Sequence, residues 1–114
     1  MPLSEFTRKL VETKLVKYCS GRIPEHSRHQ VRLTYKIRGN SVSLIEERPY
    51  FKDPSIWTQS PVAQFRFDDQ TKKWSLYCRD RNAKWHFFRT FKPNADFDDL
   101  LKEVDMDQTG IFWG

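Results

Sequence analysis

Between residues 72 and 89, the basic side chains Lys72, Lys73, Arg79, Arg81, Lys84 and Arg89 interleave with Trp74, Tyr77, Trp85, His86 and Phe88. Cations alternating with rings suit single-stranded nucleic acid, whose phosphates pair with the cations and whose bases stack on the rings. The competing reading is that the large aromatics build the core, as their bulk usually dictates. On that ground Trp74 and Trp85 are assigned to the core, and Tyr77 and His86 are kept as surface candidates. If Trp74, Leu76 and Cys78 face inward, then Ser75, Tyr77 and Arg79 face outward. The following strand then exposes either His86 and Phe88 or Trp85 and Phe87. A second basic set lies in residues 29–38, which alternate strictly. Val31, Leu33, Tyr35 and Ile37 fall on one face, and Arg32, Thr34, Lys36 and Arg38 on the other, so Arg32, Lys36 and Arg38 form a basic stripe.

Other chemistries find less support. His26, His29 and His86 with Cys19 and Cys78 are zinc-ligand types, but no paired-ligand spacing brings them together, and no metal site or other cofactor is expected. The run Asp105-Met-Asp-Gln-Thr-Gly110 matches the first half of a calcium loop, but the chain offers no Glu at the twelfth position, and a turn after a helix explains it better. Neither cysteine sits in a nucleophile motif, and four glycines supply no G-x-S-x-G elbow or phosphate loop. A metal-dependent nuclease would have to draw on Glu46, Glu47, Asp53 and Lys84. The expectation is a non-enzymatic protein.

The elements that must position these residues read as helix, strands, helix. Ser4 is an N-cap for a helix ending near Ser20-Gly21, with Phe6, Leu10, Val11, Leu15 and Tyr18 on one broad face. Residues 22–28 form a loop. Gly39-Asn40 is a two-residue hairpin signal that sets Val42 opposite Ile37 and Leu44 opposite Tyr35. That register puts Glu46 and Arg48 on the otherwise apolar face, where they are a structural ion pair or the floor of a pocket, unless a bulge near Ile45 returns them to solvent. Pro49, Pro54 and Pro61 argue for an irregular connection over residues 50–60 that packs Tyr50, Phe51 and Trp57 over a sheet end. Strands over residues 62–67, 74–78 and 85–89 follow. Pro93-Asn94 opens a last helix with Phe97, Leu100, Leu101 and Val104 at the spacing of one apolar face.

The chain has 114 residues, the size of one domain. Its hydrophobic share of 38% and mean hydropathy of -0.77 are low, but Phe, Trp and Tyr make up 15% and give an aromatic core. No stretch approaches the ~18 apolar residues of a membrane span, and residues 1–8 lack a secretory signal, so a cytoplasmic protein with no membrane partner is expected. Two reduced cysteines fit that compartment. A net charge of +5 and a pI near 9.4 point to polyanions. Residues 1–92 hold 19 basic and 9 acidic side chains, net +10, whereas residues 93–114 hold one basic and six acidic ones, net -5. Either the basic body binds a polyanion, or the acidic segment folds back and neutralises part of it.

Several elements also form a recognisable series. Ile45-Glu-Glu-Arg-Pro49, Trp57 followed by Pro61-Val-Ala-Gln-Phe-Arg66, Trp74-Ser-Leu-Tyr77, Asp80-Arg-Asn-Ala-Lys-Trp-His86 and the closing Thr109-Gly-Ile-Phe-Trp-Gly114 follow in that order. Together they resemble the bacterial domain-of-unknown-function family 3024 over almost the whole chain. The resemblance implies a small bacterial cytoplasmic protein with no assigned activity and brings no site residues with it.

The expectation is therefore a single α+β domain over residues 1–114, with an antiparallel meander of about five strands between an N-terminal and a C-terminal helix. Its leading function is binding nucleic acid or another polyanion on a basic sheet face. The alternative is a protein-interaction module that uses the acidic last helix and the aromatic end. Three consecutive apolar residues, Ile111, Phe112 and Trp113, would be an aggregation risk in water, so Phe112 or Trp113 is expected to be buried against the sheet edge or the 49–57 connection.

Overall fold

The computed structural model describes residues 3–113; Met1, Pro2 and the terminal Gly114 of the closing motif lie outside the described residues. Helix α1 spans Glu5–Arg22, and the Ser4 hydroxyl caps it by accepting the Thr7 N–H at 3.2 Å. A short 3-10 turn, Glu25–Ser27, leads into β1 (Arg32–Arg38), β2 (Ser41–Tyr50), β3 (Asp53–Asp68), β4 (Lys73–Arg79) and β5 (Trp85–Phe87). Helix α2, Phe97–Met106, follows. All five strands join one antiparallel sheet in the order of the chain. This is the α+β meander with terminal helices that the patterns predict.

The β1–β2 turn forms because Gly39 adopts a φ of +60°, as the first central position of a II′ loop requires. Ile37 then faces Val42 and Tyr35 faces Leu44, the expected register. Both helices cover the same face of the sheet. Val11 and Leu15 from α1, and Phe97, Leu100, Leu101 and Val104 from α2, meet Val42, Leu44, Phe65, Trp74 and Leu76 in one core. Phe97 lies edge-on to Phe65 and Trp74 at ring separations of 5.0 and 4.9 Å, the favoured aromatic arrangement. The opposite face of the sheet has no element packed on it among the described residues.

Three expectations are corrected here. Residues 50–60 are not a loop: β2 and β3 continue past the other strands as a two-stranded ribbon turning at Phe51-Lys52, irregular only where a register shift leaves residues 54–56 without β2 partners. The prolines fit because the ladders beside them have already ended: β1 stops at the Arg32–Glu47 pair and β4 at the Gln64–Tyr77 pair. Pro49, Pro54 and Pro61 thus lie where strand edges are open and a missing N–H costs no ladder bond. Secondly, Phe6 and Leu10 are exposed, since α1 settles on the core through Val11 and Leu15, with Tyr18 and Cys19 partly buried beside them. Thirdly, α2 starts at Phe97 behind an Asp96 cap, and Asn94 instead pairs with Trp74 as an isolated bridge.

The last residues are tied down as expected. Asp107 adopts φ 43° at the end of α2, and its carboxylate accepts the N–H groups of Phe112 and Trp113 at 3.1 and 2.9 Å. Phe112 is buried against Phe88, just beyond the edge strand β5, and the Trp113 indole N–H donates to the Val104 carbonyl at 3.0 Å.

Candidate nucleic-acid interface

The uncovered face is built by strand alternation. Because cross-strand partners share a face, β1 to β5 set Lys36, Ser43, Gln64, Tyr77 and Phe87 in one row across the whole sheet. The adjacent row is Arg38, Ser41, Arg66 and Ser75. Small hydroxyl side chains form the floor between the basic walls. Lys36, Arg38, Ser41, Ser43, Gln64 and Arg66 line a shallow depression of about 600 Å³, and Arg66, Ser75 and Tyr77 border a second one beside it. Towards the ribbon the face continues through Arg32, Glu47 and Gln59. At the other edge Arg79 pairs with Trp85, and Lys73 with Asp68.

Two arginine guanidiniums sit over aromatic rings. The Arg66 guanidinium lies 3.9 Å above the centre of the Tyr77 ring, and its Nε donates to Gln64 Oε1 at 2.6 Å. Gln64 in turn donates to Ser43 Oγ at 3.2 Å, so the guanidinium is oriented by three strands. The Arg32 guanidinium lies 3.4 Å above the Trp57 ring. Tyr77 also meets Phe87 edge to face, with ring centres 5.8 Å apart.

The charges separate by face. Six basic side chains, Arg32, Lys36, Arg38, Arg66, Lys73 and Arg79, lie on the open face beside two acidic ones, Glu47 and Asp68. None of the six makes a salt bridge among the described residues, although Lys36 reaches Gln59 Oε1 at 3.4 Å. On the helix side, four of the five α1 cations are paired. Lys14 bonds to Asp98, Arg22 lies 3.3 Å from Asp105, and Arg8 and Lys9 pair with Glu12 and Glu5. The acidic α2 therefore folds back on α1 and not on the open face. Burial and the neighbouring Asp105 carboxylate push the pKa of Tyr18 up, and its hydroxyl donates to that carboxylate.

Of the residues singled out from the sequence, Arg32, Lys36, Arg38, Lys73, Tyr77 and Arg79 come together on the open face. The others do not join them. Lys72 sits in the β3–β4 turn, paired with Asp69. Arg81 and Lys84 lie in the β4–β5 loop, and Arg89 follows Phe88 past the last strand. His86 lies opposite Cys78 on the helix-side face, where its Nε2 contacts Asp80 Oδ2 at 2.6 Å. Asp80 also accepts the N–H groups of Lys84 and Asn82, and the Lys84 N–H, then His86, hold its carboxyl below the usual carboxylate range. Trp85, assigned to the core from its size, is instead on the open face, because Phe88 takes the inward place beside Phe112. Glu46 and Arg48 do share the helix-side face. The register shift near Ile45 is between β2 and β3, where Val62 is the extra residue, and β1–β2 pairing runs unbroken to Glu47. The two side chains form an ion pair at 2.9 Å, with Arg48 largely exposed.

Arg66, Gln64, Trp57 and Phe87 belong to this face and are absent from the sequence-based set. The signal for two of them is the same alternation used elsewhere: with Ala63, Phe65 and Phe67 inward, Gln64 and Arg66 must face outward. Among the described residues no group of three or more His, Cys, Asp or Glu side chains converges in a metal-like cluster, and no helix is long and apolar enough to cross a membrane. Both cysteines are free; burial pushes the Cys19 thiol up to about 11 and raises Cys78 as well.

No curated protein and no solved structure matches the chain. A family model, the domain of unknown function DUF3024, matches residues 3–114, which include every strand of the open face and both helices. By that match the chain belongs to the DUF3024 family.

Proposed function

We propose that this protein is a binding module whose open, basic sheet face engages nucleic acid. The observation that carries this reading is the division of its ion pairs. Four of the five cations on α1, all but Lys17, have carboxylate partners, whereas the six on the open face have none among the described residues. Unpaired cations gathered on one surface attract a polyanion and release its counterions on contact, which makes affinity fall steeply with salt. Serines and glutamines between them supply hydrogen bonds to phosphate or sugar without regard to sequence.

The test replaces Arg32, Lys36 and Arg38 together by Ser. Loss of three phosphate contacts should weaken binding similarly for unrelated sequences and flatten the log K against log salt slope by about 2 for a single strand. Replacing Lys9 and Lys17 on α1 by Ser should leave that slope unchanged. If the triple variant binds as the parent does, the site moves to the β4–β5 loop with Arg81 and Lys84 and to Arg89 beyond β5.

A further inference from the structure

We infer that the nucleic acid this face takes is single-stranded, and that Arg32 on Trp57 and Arg66 on Tyr77 are its two base-stacking stations. The inference rests on the preceding proposal and adds the ligand's class and the residues that read it. A guanidinium lying on a ring keeps its second face free, and its N–H groups still point outward in the plane. Such a layer offers a flat surface to a nucleobase and a fork to the adjoining phosphate, two features that a lone lysine lacks. Both guanidiniums are centred over a ring, with Cζ 3.4 and 3.9 Å from the ring centre, close enough to stack, and neither is neutralised by a carboxylate among the described residues.

Width decides between single strand and duplex. Five strands at about 4.8 Å spacing make a face roughly 19 Å across, too broad for the ~12 Å major groove that admits one helix or a two-stranded ribbon. A duplex would meet this face only through its backbone, and its stacked bases would never reach the guanidinium planes. A single strand lays its bases down on such a surface. By the sheet register the two stations are about 20 Å apart, mostly along the strand direction, so the ligand spans several nucleotides and not one.

The experiment compares four probes on the full chain by fluorescence anisotropy. They are a mixed-sequence single strand of about ten nucleotides, an abasic strand with the same number of phosphates, the matching duplex, and heparin. The single strand should bind at least about tenfold more tightly than the abasic strand or the duplex. Arg32→Lys and Arg66→Lys keep the charge and remove the plane. Each should weaken single-strand binding by about tenfold while leaving heparin within twofold of the parent, with unchanged far-ultraviolet circular dichroism. Equal affinity for the base-bearing and abasic strands, or a preference for duplex, overturns the stacking stations and leaves the polyanion face standing. Absence of salt-sensitive binding to all four probes overturns both.

Discussion

Removing residues 111–114 tests how the end of the chain is held, and the structure sets the size of the effect. Burial of the Phe112 ring contributes about 2–3 kcal/mol, and its edge-to-face contact with Phe88 about 0.5–1.5 kcal/mol more. The two N–H groups on Asp107 and the Trp113 indole bond add roughly 1 kcal/mol each, and Arg22 stacks 4.6 Å above the Trp113 ring. Against this stands the cost of ordering three residues, about 1–2 kcal/mol of backbone entropy for each. The net contribution is about 2–3 kcal/mol. At ~4 °C or more per kcal/mol for a domain of this size, truncation should lower Tm by about 8–12 °C. Phe112→Ala should cost nearly as much as truncation and no more, because a larger loss would simply release the tail. Ile111→Ala, at a residue 45% exposed, should change Tm by little. Differential scanning calorimetry of the three variants reads the outcome. A truncated chain that melts with the parent refutes the anchoring, and a Phe112→Ala effect far below that of truncation places the anchor elsewhere in the tail.

Ala83 holds a φ of +64° in the β4–β5 loop, so Ala83→Gly should raise stability by about 0.5–1 kcal/mol in chemical denaturation. The Asp80 carboxyl is held low by the Lys84 N–H and by His86, so its contribution is complete above the unfolded carboxylate range and is lost as pH falls through and below it. Asp80→Ala should therefore flatten the acid side of the Tm against pH curve; an unchanged acid limb contradicts that role. Raised thiol pKa values, about 11 for Cys19, mean that few thiolates are present at neutral pH. Iodoacetamide should modify the folded protein far more slowly than a free thiol at pH 8, and alkylation at the free-thiol rate would contradict the burial.

Much of the fold was legible because local rules agreed with it. Strict alternation in residues 29–38 and a glycine at the turn determine which faces Ile37 and Arg38 occupy, and the β1–β2 register follows. The misreadings occur where one rule has two outcomes. Proline excludes a residue from central ladders but not from open edges, and nothing local reveals that β1 and β4 stop short of Pro49 and Pro61. In Trp85-His-Phe-Phe88 every residue but one is aromatic, so period two does not choose a face; contact with Phe112, far away in the chain, does. Phe6 and Leu10 extend the apolar stripe of α1, yet that helix meets the core through Val11, Leu15, Tyr18 and Cys19 and leaves its first turns exposed. Arg66 lies apart in sequence from both basic clusters, and only the pairing of β2 with β3 brings it beside Arg38.

Binding at the open face is mapped residue by residue from the amide chemical shifts of the labelled protein titrated with a single-stranded oligonucleotide. The largest shifts should cluster at Lys36, Ser43, Gln64, Arg66, Tyr77 and Phe87, with α1 and α2 unmoved. Shifts concentrated on the helices, or none at saturating ligand, would contradict binding at that face.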